Sequence, residues 1–181
     1  MILHETREAS SLIFHGHVVD LRVDQARIGD GSLREREVVV HPGGVSVVCL
    51  TDDNEVLMVR QFRYAAGEVM LELPAGKLEA GEDPFDAMRR EQREETGTTA
   101  ERYVSLGVIC PTPAYDTERI YLWACRVTGW GEQKLDDGEL LEVERISLWK
   151  AEEMALDNQL PDAKTQIGIL KAAALVRAGK L

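Results

Sequence analysis

From Ser11 to Val40, apolar residues recur at short and often alternating intervals, at Leu12, Phe14, Val18, Val19, Leu21 and Val23. That is the period of extended chain, in which every second side chain shares a face. Gly29-Asp30-Gly31-Ser32 interrupts the run as a turn, and Arg34 to Val40 resumes it, so the segment predicts a small antiparallel β meander. His41-Pro42-Gly43-Gly44 then punctuates the chain, setting an N-terminal β unit (1–42) apart from a main domain (43–181).

The pattern changes past this boundary. Val45 to Leu50 and Val56 to Arg60 are apolar strands joined by the turn Asp52-Asp53-Asn54. In the run Glu72-Leu73-Pro74-Ala75-Gly76, the last three residues are poor helix or strand material. A charged helix follows, then strands near 104–109, 119–127 and 142–149, and two helices near 151–158 and 162–178. Ile167, Leu170, Ala174 and Val176 give the last helix an inward face. Interleaved strands and helices predict an α/β or α+β chain.

Charge narrows the function. The 181 residues carry 21 basic and 32 acidic side chains, a net charge of -11, which repels a nucleic-acid backbone. A phosphate substrate would therefore require a bound cation and locally placed arginines. Cys49, Cys110 and Cys125 are odd in number, far apart and set in apolar stretches, as expected of reduced core thiols rather than disulfides or a zinc site. No signal peptide is visible in MILHETREAS and no apolar run approaches membrane-spanning length, so a cytoplasmic protein without membrane partners is expected. His15 and His17 alternate on a strand but lack further ligands, which favours a structural role. Trp123, Trp130 and Trp149 read as core or interface residues, whereas Tyr115, in PTPAYD, is a candidate to line a substrate pocket.

The chemistry concentrates in Asp83 to Gly97, DPFDAMRREQREETG. Asp83 suits an N-cap, Pro84 the first helical position and Gly97 a left-handed C-terminal cap. Phe85 and Met88 can face a core. Glu91 and Glu95 share a helical face with Glu94 beside them, and their mutual repulsion would be relieved by a hard divalent cation. Taken alone, such a helix also fits a solvated, ion-paired surface. Its neighbours favour a metal site: Glu79 and Glu82 add charge, and the carbonyls of Pro74-Ala75-Gly76 can supply oxygen ligands.

The run GKLEAGEDPFDAMRREQREETGT, Gly76 to Thr98, resembles the Nudix box, with Gly76, Glu82, Arg90, Glu91, Glu94, Glu95 and Gly97 in register. Gln92 and Thr98 depart from it, each standing where an aliphatic residue is usual, which puts the docking of the helix in question rather than the ligands. VRQFRYAAGEVMLELPAGKLEAGED, VVDLRVD, REREVVVHPGG and PDAKTQIGIL are similar to ADP-ribose pyrophosphatases and related sugar-nucleotide hydrolases, and Pro113 stands at the proline position of the ADP-ribose subgroup. The resemblance implies an α/β/α sandwich around a mixed sheet. It also implies a small N-terminal antiparallel β unit, commonly exchanged between the subunits of a homodimer.

The resemblance assigns roles residue by residue. Glu91 and Glu95 match carboxylates that bind magnesium, with manganese or another divalent cation as a substitute; Glu94 matches a ligand or near-ligand, and Ala75 a carbonyl ligand. Arg90 and Glu82 match residues that brace loop against helix. Arg63 matches an arginine near the diphosphate, the alternative being a surface arginine paired with Glu68 or Glu72, and Arg36 matches one from the N-terminal unit near the nucleotide; Glu72, Pro113 and Tyr115 complete the substrate set. A further acidic residue is expected from the loop LDDGELLE, with Glu139 the first choice for a catalytic base and Asp137 the second. The implied reaction is hydrolysis of a nucleoside diphosphate sugar. ADP-ribose is the leading substrate, and GDP-mannose or another sugar nucleotide is the alternative. A sensor that binds without cutting is the competing class, and it would have no need to keep Glu91, Glu94 and Glu95 together.

Overall fold

A computed structural model describes residues 3–181. They form two compact units. One runs up to Gly43 and takes in Cys110–Arg119; the other comprises Gly44–Ile109 and Ile120–Leu181.

In the first unit, strands β1 (Thr6–His15), β2 (Asp20–Arg27) and β3 (Leu33–Val40) make an antiparallel meander in sequential order. Between β2 and β3 the chain reverses with Gly31 at φ +85°, a conformation that suits glycine. Every residue of β1 is exposed, Leu12, Ile13 and Phe14 included. His17 lies in the turn after β1 rather than on it, so the two histidines do not share a strand face; His15 Nδ1 lies 2.7 Å from Asp20 Oδ1 instead. The segment Cys110–Arg119 is tied to β3: Val39 N–H donates to the Tyr115 carbonyl at 2.8 Å, and Thr117 N–H to the Val39 carbonyl at 3.0 Å. Cys110 is exposed rather than a core thiol, because it follows the point where the chain leaves a strand for a surface segment.

The second unit contains β4 (Gly44–Leu50), β5 (Glu55–Arg63), β6 (Glu68–Glu72), β7 (Ala75–Lys77), α1 (Pro84–Thr96), β8 (Thr98–Thr99), β9 (Tyr103–Ile109), β10 (Ile120–Arg126), β11 (Gly129–Trp130), β12 (Leu141–Ser147), α2 (Leu148–Leu156) and α3 (Ala163–Arg177). A seven-stranded sheet has the order β12-β5-β4-β10-β9, with β6 added to β5 and β7 to β4; β8 and β11 pair separately. The sheet is mixed, since β4 and β10 are parallel and the other pairs antiparallel.

Strand β4 is buried along its whole length, which explains its unbroken apolar sequence. Val45, Val47 and Cys49 pack in one cluster with Ala87 and Met88 of α1. Val48 and Leu50 pack in the other with Leu148 and Ala151 of α2 and Ile169 and Ala172 of α3. Helices thus cover both faces, giving an α/β/α sandwich. Among the described residues, no helix is long and apolar enough to cross a membrane.

Four local expectations are corrected. Pro74 separates two strands, β6 and β7: lacking an N–H it cannot sit inside a ladder, but its carbonyl accepts from Val47 N–H (3.1 Å) and Ser46 Oγ (2.8 Å), which leaves Ala75–Lys77 free to pair with β4. Trp149 belongs to α2, not to a strand, because the chain switches to helix at Leu148. Phe85 is half-exposed, its ring meeting Tyr103 and Trp123 rather than the core. Of the expected inward face of α3, Ile167, Leu170 and Val176 pack at the edge of the core, but its buried centre is Thr165, Gly168, Ile169, Ala172 and Ala173, and Ala174 is exposed. Small residues win there because the helix lies close to the sheet: a Cβ on Gly168 would run into the Leu73 side chain.

Candidate active site

Helix α1 starts and stops where its sequence directs. Asp83 accepts N–H bonds from Phe85 (2.9 Å) and Asp86 (3.3 Å), and Gly97 closes the helix at φ +66°. Arg90 gathers the surrounding carboxylates. It binds Glu82 through Nε (3.0 Å) and Nη2 (3.1 Å), and it gives Nη1 to Glu91 (2.7 Å) and Glu94 (3.1 Å). This network clamps the loop before the helix onto its side and leaves Arg90 no free edge for a substrate.

Glu95 is only 1% exposed and accepts the Ala75 N–H at 2.9 Å. Burial pushes its carboxyl up to about 8; the Ala75 hydrogen bond opposes that shift, and the charges of Glu91 and Glu139 add to it. Burial also raises Glu91, outweighing the neighbouring Arg90, and the charges of Glu94 and Glu139 add to the effect. Gly76 makes the approach possible, since a Cβ there would overlap the Glu91 carboxylate.

The donor set suits a hard divalent cation. It consists of oxygens, two of the carboxylates are held partly protonation-prone by burial and by one another, and a cation would relieve both effects. Among the described residues, no three acidic, His or Cys side chains converge as placed, because Glu91 and Glu94 are turned onto Arg90. A cation at Glu95 would compete with Arg90 for Glu91.

Beside this helix stands an ion-pair cluster. Arg63, at the end of β5, donates Nε (2.6 Å) and Nη2 (2.9 Å) to the two oxygens of Glu72 at the end of β6. Glu72 is 2% exposed. Burial pushes its carboxyl up, but the Arg63 hydrogen bonds and the charges of Lys164 and Arg63 outweigh burial and hold it below the ordinary range. Lys164 contacts the same carboxylate and was not singled out by the sequence. The signal that could have found it is a lysine just behind a helix N-cap, in PDAKT.

Glu139 follows Gly138, at φ +83°, and receives Gln61 Nε2 at 3.5 Å. Its charge acts on both Glu91 and Glu95, so this loop faces the carboxylates of α1. Asp137 is exposed on the same turn. The second unit thus gathers Ala75, Glu91, Glu94, Glu95 and Glu139, with Arg63 and Glu72 alongside. The first unit carries Arg36, Pro113 and Tyr115. There Arg36 pairs with Glu5 (2.9 and 2.8 Å), and Pro113 and Tyr115 are exposed.

The two departures from the box answer each other. Gln92, fully buried, donates to Thr98 Oγ1 at 3.2 Å and accepts from Tyr103 Oη at 2.8 Å. Helix docking is therefore kept by a satisfied polar network in place of an aliphatic contact.

Residues 40–167 match the NUDIX domain family. ADP-ribose pyrophosphatase of Bacillus subtilis (strain 168) is 36% identical over 169 residues, 92% of this chain and 91% of that one. Methanol dehydrogenase activator of Bacillus methanolicus is 35% identical over 159 residues, 87% and 86% of the two chains. The fold matches a crystal structure of an ADP compounds hydrolase with a TM-score of 0.83, covering 98% and 97% of the two chains at 18% identity. The chain belongs to the Nudix family and is a Nudix pyrophosphohydrolase, similar over most of its length to ADP-ribose pyrophosphatase.

Proposed function

We propose that the protein hydrolyses the diphosphate of a nucleoside diphosphate sugar, with ADP-ribose cut to AMP and ribose 5-phosphate, in a magnesium-dependent reaction. The observation that carries this reading is the buried Glu95 under the charges of Glu91 and Glu139, an arrangement of carboxylates that solubility does not require. Glu91, Glu94, Glu95 and the Ala75 carbonyl would hold the cation. A bound divalent cation supplies Lewis-acid neutralisation of the diphosphate oxygens and a lowered pKa for water.

The chain's own residues do the rest. Arg63 uses only Nε and one Nη2 hydrogen on Glu72, so its remaining N–H groups can orient the diphosphate. Glu139, on a loop that Gly138 lets bend, takes the proton of the attacking water. Asp137 is the second choice for that role. Arg36, Pro113 and Tyr115 contribute to the nucleotide end, and Glu72 holds Arg63. The protein acts in the cytoplasm as a homodimer in which the unit 1–42 helps build the site. A three-stranded piece of that size has little core of its own, and β1 leaves Leu12, Ile13 and Phe14 uncovered.

A panel of nucleotide sugars with magnesium, with products identified, tests the reading. ADP-ribose should give AMP and ribose 5-phosphate, chelator should abolish the activity and magnesium restore it. Hydrolysis of GDP-mannose without ADP-ribose would overturn the substrate, and full activity in excess chelator the mechanism.

A further inference from the structure

The first turn of α3 is mounted on the stretch that joins β6 to β7. Asp162 caps the helix, its Oδ2 accepting the Thr165 N–H at 2.9 Å. Thr165 Oγ1, fully buried, accepts the Leu73 N–H at 2.9 Å. Between these two anchors Lys164 turns inward, 8% exposed, with Asp162 Oδ2 at 3.0 Å on one side and the Glu72 carboxylate in close contact on the other. A lysine so buried is stable only with its charge matched on the spot.

We propose that Lys164 is a positioning residue for Arg63: acting through Glu72, it fixes the direction of the guanidinium and keeps its positive charge available to the diphosphate. The inference rests on the role given above to Arg63. Asp162, Lys164, Glu72 and Arg63 form a chain of alternating sign that runs from the helix cap to the half-exposed guanidinium. Arg63 alone on Glu72 would be a one-to-one pair, largely neutral toward a ligand. With Lys164 on Oε2, the carboxylate is shared between two cations and holds Arg63 less exclusively, while Asp162 balances Lys164 at the far end of the chain. The same sharing holds Glu72 in one rotamer, so that both guanidinium bonds stay formed. Misplacement of a binding group by about 1 Å can cost up to ~100-fold in rate.

Kinetics on the nucleotide sugar that the wild-type protein hydrolyses fastest, together with the Arg63 Nε–H resonance, test this. Lys164→Met keeps the apolar stem and removes the charge. It should raise KM by roughly tenfold or more with a smaller change in kcat, and shift the Arg63 Nε–H signal with faster exchange. Lys164→Arg should restore most of both readouts. The double variant Lys164→Met/Arg63→Ala should be no worse than Arg63→Ala alone, since the two residues act in series. If KM and the Arg63 signal are unchanged while only stability falls, Lys164 is merely structural and the proposal fails. It fails equally if the two substitutions add. Should Lys164→Met not fold, Lys164→Gln is read in the same way; if that also fails to fold, Lys164→Arg decides, a near-wild-type KM and Arg63 signal supporting the proposal and a roughly tenfold rise in KM with an unmoved Arg63 signal overturning it. A wild-type protein inactive on every nucleotide sugar would sink the functional reading, and the Arg63 resonance would then decide Lys164 by itself.

Discussion

Replacing Glu95 with glutamine keeps the shape of a buried side chain and removes its charge. In the unfolded chain the Glu95 carboxyl ionises near its ordinary 4.5, and in the fold it holds its proton up to about 8. Between those values the unfolded state binds fewer protons, so the metal-free fold loses stability as pH rises, by at most about 1.4 kcal/mol per pH unit. By pH 7 the loss reaches on the order of 3 kcal/mol. Glutamine escapes it and can still accept the Ala75 N–H, but its amide hydrogens need a partner, which costs about 1–3 kcal/mol. Metal-free Glu95→Gln should therefore match or exceed the wild type by up to about 2 kcal/mol at pH 7 to 8, and be the less stable of the two near pH 5. The assay is urea unfolding in chelator across that pH range. Adding magnesium should reverse the order, because binding to the native state stabilises only the wild type. If the stability difference between the two proteins does not change from pH 5 to 8, the buried charge has been misjudged. If magnesium stabilises both alike, Glu95 is not a ligand.

Glu139→Gln should lower kcat by about 10²–10⁴-fold with little change in KM, and Asp137→Asn should be milder; steady-state kinetics showing the reverse order would move the base to Asp137. Gly168→Ala should cost about 1–3 kcal/mol in denaturant unfolding, because the new methyl meets the Leu73 side chain inside a packed core. Light scattering should show a dimer, and removal of residues 1–42 should give monomeric or poorly soluble, weakly active protein; a truncated form that stays monodisperse with normal substrate affinity would refute the role of that unit.

The sequence announced some elements because their causes are local. Asp83, Pro84 and Gly97 bound α1 by capping and backbone preference alone, and β4 is apolar throughout because both its faces are covered. The errors arise where the cause lies elsewhere in the chain. β7 exists because Ser46 and Val47 offer a partner and bind the Pro74 carbonyl, which no local pattern reports. On α3, hydropathy finds Ile167, Leu170 and Val176 at the edge of the core but misses its centre, where close helix–sheet distance prefers Gly168, Ala172 and Ala173 over larger neighbours. The site divides in the same way. The α1 carboxylates are adjacent in sequence and legible together, but Lys164 meets Glu72 across a separation of 92 residues. PDAKT places its lysine just behind a helix N-cap, but the carboxylate that turns it inward is distant in the chain.

The buried pair Gln92 and Thr98 bears on how such a protein can be altered. Position by position, each looks like a defect that a consensus substitution would repair. In the fold they are lock and key: Gln92 Nε2 serves Thr98 Oγ1, and Thr98 Oγ1 in turn lies 2.7 Å from Thr96 Oγ1. Installing an aliphatic at Thr98 alone would leave Gln92 Nε2, inside the protein, only the weak acceptor Cys125 Sγ at 3.6 Å, at about 1–3 kcal/mol. An aliphatic at Gln92 alone would remove the acceptor of the part-buried Tyr103 Oη, which donates to Gln92 at 2.8 Å, and leave it only the Ala100 N–H. The two changes toward the box pattern are thus separated by a valley and would have to be made together, with phenylalanine at Tyr103, before any gain could appear. Libraries that sample these positions independently would discard the combination at its first step.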